Sequence, residues 1–283
     1  MRLVSYNIQY GIGRDGKFDM ARIADSVREA DIIALQEVTR GLDRNGGADL
    51  VASLTDLLPM HFPVFAAGHD VDAGSEITGG RVVTRRLQFG NMILSRWPIL
   101  ATRNLLLPRT RSFDRGNLQR AALEALIVTP LGPLRIYSIH LDHLHHEERL
   151  RQIRHLKERI LAYPLEGGAI TGAVEYGSPE PPHPEDFVLL GDFNMTPDSP
   201  EYELMAGGID YAEGRLTVAH HPVDASRIDD GETVSWIDTE RPERRSRLDY
   251  CFVSAGLASR VHKAWIDSDA AGSDHMPVWV EME

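Results

Sequence analysis

The chain has 283 residues, of which 42% are hydrophobic and 25% charged, a composition that is ordinary for one globular domain and excludes fibrous and disordered classes. Its formal net charge of −12 disfavours a protein that coats long nucleic acid, because phosphate contacts need a basic surface. The single cysteine, Cys251, excludes an intramolecular disulfide and a structural metal site built from thiolates. No apolar run of membrane-spanning length is present, and the first residues lack the apolar segment of a signal peptide, so we expect a cytoplasmic protein.

The first part of the chain predicts alternating strands and helices. A strand is predicted for RLVSYNI, which alternates apolar and polar residues and delivers Asn7 to a glycine-containing loop. Asp19 is expected to cap a helix, because apolar residues follow it at helical spacing. A second strand, DIIALQEV, is continuously apolar, which indicates burial on both faces, and is predicted to end on Glu37.

The same pattern continues to the C-terminus. Strands are predicted for GNMILSRW, RAALEALIV, LRIYSIHL, FVLLGDF, LDYCFVS and MPVWVEM. Helices are predicted for DLVASLTDLL, HHEERLRQIRHLKERILAY and a short segment around SPEYELMA, and residues 167–184 are predicted to form a loop. Because helices fall between strands throughout, we expect an α/β protein with mixed sheets rather than two separable domains.

Positive charge is concentrated in one stretch of the chain. Residues 81–120 contain nine arginines, no lysine and one acid, so this stretch carries +8 and the remainder −20. A second cluster, RPERRSR at 241–247, sets four arginines against Glu243. Each cluster alone is equally well explained as a solvated face, but the asymmetry favours a locally held anionic ligand.

Polar residues stand where several apolar strands end. In VLLGDFNMTPDS, Asp192 and Asn194 are two residues apart and therefore face the same side of an extended segment, although a polar turn would explain this pair alone. The other strand ends carry Asn7, Glu37, His140, Asp249, Asp274 and His275. Ligands gather at strand ends in packed α/β sheets, so we expect these eight residues to form one site.

The motifs that contain these residues support a family resemblance. YNI, LQEV, SIHLD, GDFN, RLDY and SDH occur in the order and approximate spacing found in the endonuclease/exonuclease/phosphatase superfamily, which the chain resembles from Asn7 to His275. The resemblance implies a single DNase I-like domain over residues 1–283. It also implies a four-layer sandwich of the α/β (α+β) class, in which helices flank two packed mixed β-sheets.

Hydrolysis of a phosphate ester requires neutralised charge on the phosphoryl oxygens, an aligned water and help for the leaving oxygen. Asn7, Glu37 and Asp274 offer hard oxygen ligands, which suit Mg²⁺ or Mn²⁺ better than zinc. We therefore predict that these three residues bind one divalent metal ion.

The remaining polar residues are predicted to be catalytic. The resemblance implies that Asp192 orients or deprotonates the attacking water, and Asn194 is placed to donate amide N–H groups beside it. It also implies that His275 donates a hydrogen bond to the phosphate while Asp249 fixes its tautomer. His140 is expected to supply a second donor, and protonated imidazoles at such positions would stabilise developing charge.

Two further groups allow alternative interpretations. Asp142, His143, His145 and His146 resemble a second metal site, but their position before a helix favours N-terminal interactions and solvated histidines, so a one-metal site is the simpler expectation. Arg40 and Arg120 are expected to reach substrate phosphates, whereas Arg44 is more easily explained as a surface residue.

The substrate is predicted to be small or short and phosphorylated. The total charge and modest aromatic content give little support for gripping duplex DNA, and no Trp/Phe-rich segment indicates a membrane contact. No obligate protein partner is indicated. The alternatives are a nuclease acting on DNA or RNA and a non-catalytic binding protein that keeps the fold, which the survival of all eight polar residues disfavours.

Overall fold

The computed structural model describes residues 1–225 and 233–283. The first six strands along the chain are β1 (Arg2–Asn7), β2 (Ile32–Arg40), β3 (Phe62–Asp72), β4 (Glu76–Thr78), β5 (Arg81–Val83) and β6 (Arg86–Ser95). The next strands along the chain are β7 (Ile99–Leu106), β8 (Ala121–Thr129), β9 (Gly132–His140) and β10 (Phe187–Asp192). The last strands are β11 (Val223–Asp224), β12 (Trp236–Ile237), β13 (Arg245–Ser246), β14 (Asp249–Val253), β15 (Val261–Ile266) and β16 (Val278–Met282). The helices are α1 (Met20–Val27), α2 (Leu50–Leu57), α3 (His146–Leu161), α4 (Tyr163–Glu166) and α5 (Pro200–Ala206).

Two six-stranded mixed sheets form the centre of the molecule. The first has the strand order β15-β16-β1-β2-β6-β3, and the second has the order β11-β14-β10-β9-β8-β7. Each sheet contains one parallel pair, β1 with β2 and β9 with β10, and its other neighbours are antiparallel. Both parallel pairs are joined through a helix, as parallel strands require. The two sheets therefore share one architecture although the sequence shows no internal repeat.

The apolar residues of these elements form three clusters, which define four layers. The inner faces of the two sheets meet in a cluster that includes Leu3, Ile32, Val188 and Leu190. The neighbouring Leu189 points to the opposite face, as the two-residue period of a strand requires, and packs in a cluster with residues of α3 and α5. Residues of α1 and α2 pack on the outer face of the first sheet. The structure confirms the expected sandwich of two sheets flanked by helices.

Helices α1 and α2 begin at aspartate N-caps, of which Asp19 was predicted from the sequence. The Asp19 carboxylate accepts hydrogen bonds from the backbone N–H groups of Ala21 and Arg22 at the start of α1. Asp49 accepts one from Ala52 in α2. These bonds satisfy N–H groups that have no partner within the helix. None of the helices in the described ranges is long and apolar enough to cross a membrane.

Some elements differ from the sequence-based expectation. Strands β3, β7 and β15 and the β4–β5 hairpin were not predicted, and β3, β7 and β15 are partly exposed strands at or near sheet edges. Residues 167–184 contain a 3₁₀ turn at Ala173–Tyr176 but are otherwise a loop, as predicted.

Candidate active site

The strand register places three of the predicted site residues side by side at the strand ends of the second sheet. Asp192, the last residue of β10, pairs with His140 at the end of parallel β9 and with Asp249 at the start of antiparallel β14. Asn7, the last residue of β1 in the first sheet, donates from Nδ2 to Asp192 Oδ2 at 3.0 Å. The ends of the two sheets therefore meet at Asp192.

Glu37 reaches the same place through a β-bulge. We expected β2 to end on this residue, but the strand continues to Arg40, and its register with β6 shifts between Leu35 and Val38. The bulged Glu37 has a φ of 59°. Its Oε1 atom lies 3.4 Å from Asn7 Nδ2. The extra residue re-aims the carboxylate without terminating the strand, as bulges beside functional sites commonly do.

Left-handed backbone conformations are concentrated around these strand ends. In the described ranges, the non-glycine residues with positive φ are Gln9, Tyr10, Glu37 and Asn194. Such conformations are costly for residues with a Cβ atom and persist where the surrounding structure enforces them. All four residues either are predicted site residues or closely follow Asn7. The backbone is strained where the side chains must converge.

Asp192 lies at the centre of the side-chain cluster. Its Oδ2 atom is 3.4 Å from His140 Nε2 and 3.8 Å from His275 Nε2, while its Oδ1 atom accepts the backbone N–H of Asn194 at 2.9 Å. The Asn194 side chain instead donates to the Leu141 carbonyl at 3.2 Å, so it fixes the turn rather than pointing freely into the site.

The surroundings of Asp192 raise its pKa to about 7. Burial is the largest cause, since the side chain is almost completely enclosed. The positive charge of His275 and the hydrogen bond from Asn7 oppose this rise, and the Asp249 carboxylate adds to it. A pKa near neutrality suits a group that exchanges a proton with water.

His275 is held by a buried chain of hydrogen bonds. Its Nδ1 atom lies 2.8 Å from Asp249 Oδ2, which also accepts the Ser235 hydroxyl hydrogen at 2.6 Å. Burial alone lowers the pKa of His275, but the carboxylates of Asp249 and Asp192 outweigh it and raise this pKa to about 10. His275 is therefore an imidazolium at neutral pH.

Ser235 is a supporting residue that the sequence analysis missed. Its hydroxyl oxygen accepts the backbone N–H groups of Leu248 and Asp249, both at 2.9 Å, while the hydroxyl donates to the Asp249 carboxylate. Ser235 is fully buried. No local sequence signal distinguishes it, because its partners lie more than a dozen residues farther along the chain.

His140 occupies a different electrostatic environment from His275. The Arg120 guanidinium places Nη1 2.8 Å from His140 Nε2 and Nη2 2.8 Å from His143 Nδ1. Burial, followed by the charge of Arg120, holds the pKa of His140 well below its usual value. His140 is therefore neutral, which corrects the expectation of two protonated imidazoles. A neutral ring still donates through one nitrogen while the other accepts.

Glu37 and Asp274 form the acidic side of the site. Asp274 Oδ2 accepts from Trp236 Nε1 at 3.1 Å, and Asp274 Oδ1 accepts from the Ser273 hydroxyl at 3.3 Å. Burial raises the pKa of Glu37; the charges of Arg120 and His275 oppose this rise, and the charge of Asp274 adds to it. Within the described ranges, neither carboxylate has a basic side chain within 4.0 Å. Two carboxylates that lack a paired cation fit a hard divalent cation. The Asn7 amide presents Nδ2 to Glu37, and its oxygen accepts the Gln9 backbone N–H at 3.1 Å, so the two carboxylates carry this fit.

A second group of possible ligands lies close by. Atoms of Asp192, Asp249 and His275 lie within 4.8 Å of one another, close enough to share a metal ion. His275 is protonated and shares its Nδ1 hydrogen with Asp249, so it has no lone pair to offer there. The chemistry of the donors thus favours the Glu37 and Asp274 side for a cation.

A sequence model of the Endonuclease/Exonuclease/phosphatase family matches residues 4–275, which include all eight polar strand-end residues. The chain belongs to this family. Family members are hydrolases that act on phosphate esters and generally depend on divalent metal ions. Comparison with curated proteins gives no significant match.

Solved structures of family proteins have the same fold. An endonuclease/exonuclease/phosphatase from Beutenbergia cavernae is 21% identical with a TM-score of 0.66, over 99% of this chain and 70% of that one. A mannosyl-6-phosphatase from Bacteroides thetaiotaomicron is 18% identical with a TM-score of 0.63, over 100% and 99% of the two chains. A 3'-5' exonuclease from Neisseria meningitidis is 16% identical with a TM-score of 0.58, over 100% of both chains. At these identities the likeness shows the fold alone.

The arginines expected at the site of this family member have different partners. Arg40 pairs with Asp49 at 3.0 Å and lies over the Phe65 ring, so it does not join the polar cluster. Arg44, expected to be an ordinary surface residue, lies 5.3 Å over the ring of Tyr10. The pKa of Tyr10 is raised by burial and then by the Glu37 carboxylate, which places Arg44 beside the site. Arg120 is in the site, where it contacts two histidines.

The arginine-rich stretch is partly neutralised by acids outside it. Four of its nine arginines form ion pairs: Arg85 with Glu76, Arg86 with Asp70, Arg96 with Asp31 and Arg103 with Glu124. Within the described ranges, the exposed arginines of this stretch without a carboxylate partner are Arg81, Arg109, Arg111 and Arg115. The last three precede β8, whose first residue pairs with His140, so their loop adjoins the site.

The possible second metal site is not assembled. Asp142 Oδ2 accepts the backbone N–H groups of Leu144 and His145 in a turn before α3. His143 contacts Arg120, while His146 pairs with Glu201 at 3.1 Å. The members of the group therefore have separate partners, and the helix-start interpretation accounts for them.

Proposed function

We propose that this protein hydrolyses a phosphodiester or phosphomonoester by water attack, with Mg²⁺ or Mn²⁺ as cofactor. One observation carries the proposal: a buried carboxylate, Asp192, lies 3.4 Å from the His140 ring and 3.8 Å from the His275 ring at the junction of the two sheets. Membership of a family of phosphoester hydrolases supports the reaction class.

Asn7, Glu37 and Asp274 would hold the metal ion. When bound, the ion would supply positive charge that polarises a phosphoryl oxygen. The two carboxylates without a basic partner support this assignment, because a cation would relieve their mutual repulsion. Trp236 and Ser273 fix the orientation of Asp274 through hydrogen bonds.

Asp192 is assigned to the attacking water. In its ionised form it accepts a proton as the water oxygen forms a bond to phosphorus and the bond to the leaving oxygen breaks. Its pKa of about 7 matches this task. A base that titrates near the working pH is ionised in a large fraction of molecules and still binds the proton of the water favourably. Asn194 supports the carboxylate through its backbone N–H group.

The two histidines are assigned to the phosphoryl oxygens. The His275 imidazolium donates from Nε2 toward negative charge as it develops, while Asp249 and Ser235 hold the opposite side of the ring. His140 donates as a neutral imidazole, and Arg120 fixes its position. Preformed donors in an enclosed site stabilise the transition state without reorganisation.

A chromogenic diester provides the first test. We expect the wild type to hydrolyse bis-p-nitrophenyl phosphate with added Mg²⁺ or Mn²⁺ and to lose activity in EDTA. Asp192→Ala should remove activity, whereas Asp198→Ala, which alters an exposed aspartate six residues later, should retain it. Turnover that does not depend on metal, or full activity in Asp192→Ala, would overturn the mechanism.

Substrate size is the second question. We propose a small or short phosphorylated substrate, because ion pairs neutralise much of the arginine-rich stretch. The unpaired arginines of residues 109–115 favour a nuclease as the alternative, since they lie on a loop next to the site. Plasmid nicking and turnover of small phosphate esters should be compared at several salt concentrations. Rapid plasmid cleavage that falls steeply with salt would favour the nuclease.

A further inference from the structure

A cavity of about 670 Å³ is lined in part by segments that adjoin proposed catalytic residues in sequence. One wall contains Thr196 and Pro197, in the turn that follows Asn194. Another wall contains Ser246 and Arg247, which immediately precede the strand that begins at Asp249. Residues three positions apart are separated by at most about 11 Å between Cα atoms, so these two walls lie within that distance of the Asn194 and Asp249 backbone. Its volume lies in the usual range for small-molecule sites.

The cavity combines apolar and aromatic walls with arginines. Its apolar lining includes Tyr202, Ala206, Ile209 and Leu216. Two of its arginines, Arg215 and Arg245, have no carboxylate within 4.0 Å among the residues that the structure describes. The acid that lines the cavity, Asp224, is already bonded at 2.7 Å by Arg247 and at 2.8 Å by the Tyr202 hydroxyl. The described lining therefore has an excess of positive charge.

Arg215 is the most informative residue of this lining. Its guanidinium lies 5.1 Å from the centre of the Tyr202 ring, which fixes the side chain against the cavity wall. Its Nη1 atom is buried and has no hydrogen-bond partner in residues 1–225 or 233–283. A buried donor without a partner is costly and uncommon in folded proteins. An acceptor from a ligand would satisfy this donor.

We infer that the cavity binds the non-reacting end of a small substrate that carries a second anionic group. A phosphate or carboxylate would accept hydrogen bonds from Arg215 and Arg245, and the body of the molecule would pack against the apolar wall. The inference rests on the proposed function for the role of the cavity in catalysis, but binding in the cavity does not require turnover. The substrate class is a small organic phosphate with two acidic ends.

Three related sugar phosphates can show whether the cavity binds a second phosphate or a carboxylate. Glucose 6-phosphate has one anionic group, glucose 1,6-bisphosphate adds a phosphate, and 6-phosphogluconate adds a carboxylate. Calorimetric titration of the wild-type chain should show binding of one or both doubly anionic compounds at least about tenfold tighter than glucose 6-phosphate, as one charge-assisted hydrogen bond provides. Equal affinity for all three compounds would overturn the inference.

Variants locate that preference in the cavity. Arg215→Gln and Arg245→Gln should each lower the affinity ratio between the doubly anionic compound and glucose 6-phosphate by about tenfold. Arg245→Lys should restore part of this ratio. Arg244→Gln is the matched control, because Arg244 is exposed, adjacent in sequence and outside the lining. Melting temperatures check that each variant is folded. An unchanged preference in both cavity variants would show that the second charge binds elsewhere.

A turnover assay distinguishes this inference from the proposed function. Both cavity variants should hydrolyse bis-p-nitrophenyl phosphate, which lacks a second anionic group, within about twofold of the wild type. Their kcat/KM for the preferred doubly anionic compound should fall about tenfold. A chain that binds this compound through Arg215 but hydrolyses no ester would refute the proposed function and keep the binding site. A chain that hydrolyses esters but shows no preference for doubly anionic compounds would refute the binding site and keep the proposed function.

Discussion

Replacing Asp249 by asparagine tests the assigned role of the His275 imidazolium. The Asp249 side chain is fully buried, and its Oδ2 atom lies 2.8 Å from His275 Nδ1. Asparagine has almost the same size and keeps an oxygen that can accept from the histidine ring, but it removes the negative charge. The substitution therefore changes the electrostatics of His275 with little change in packing.

The structure gives the size of the expected effect. The pKa of His275 rises from 6.5 to about 10, with Asp249 as the largest raising influence. A rise of this size corresponds to about 5 kcal/mol in favour of the protonated ring. Without Asp249, only Asp192 and Asp274 oppose the lowering effect of burial on the pKa of His275, so the protonated fraction of the ring at pH 7 should fall. Loss of a charged donor to the transition state should lower kcat by about 10²- to 10³-fold.

The assay is steady-state hydrolysis of bis-p-nitrophenyl phosphate at saturating Mn²⁺, with the melting temperature measured in parallel. Asp186→Asn is a matched control, because Asp186 lies before the opposite end of β10 and bonds to Ser254. We expect the control to retain kcat within about twofold, and both variants to remain folded. A folded Asp249→Asn protein with wild-type kcat would refute the role assigned to the His275 charge.

Three further substitutions test contacts outside the catalytic cluster. Arg40→Ala should leave kcat/KM within about twofold of the wild type, because its guanidinium is paired with Asp49 in an exposed ion pair. A tenfold loss of kcat/KM would show that Arg40 acts in the site. Leu190→Ala should lower the free energy of unfolding by about 2 to 5 kcal/mol in a urea titration, because it opens a cavity between the sheets; a loss below about 1 kcal/mol would contradict the packing. Asp19→Ala should lower the free energy of unfolding by about 1 kcal/mol, because two N–H groups of α1 lose their acceptor, and an unchanged urea midpoint would argue against this cap.

The central strands and the helix starts could be predicted from the sequence because their signals are local. Strands such as β10 lie in the middle of a sheet, so their residues are apolar on both faces. Strand β3 gave no comparable signal, since it is partly exposed and contains Pro63 and Gly68. Edge strands need neither continuous burial nor strict alternation, and their pairing is fixed by the rest of the sheet.

The site could be predicted as a set of residues but not in its finer geometry. Apolar strands that end in polar groups indicated the eight residues. The bulge that re-aims Glu37 depends on the register of β2 with β6, which the sequence of β2 alone does not define. Ser235 and the neutral state of His140 likewise depend on partners that are distant in sequence. The sequence also did not show how much of the positive charge of the arginine-rich stretch is paired, because its partners include Asp31 and Asp70, which lie outside it.

The dependence of turnover on Mn²⁺ in Glu37→Gln most directly tests the central claim of a metal-dependent phosphoester hydrolase. Wild-type and variant chains would be stripped with EDTA, dialysed and assayed for bis-p-nitrophenyl phosphate hydrolysis as Mn²⁺ is restored. We predict no turnover without metal and full recovery of the wild type. Glu37→Gln should need at least about tenfold more Mn²⁺ for half-maximal activity, because a charged ligand has been lost. Turnover in the stripped wild type, or identical Mn²⁺ curves for both proteins, would contradict the assignment.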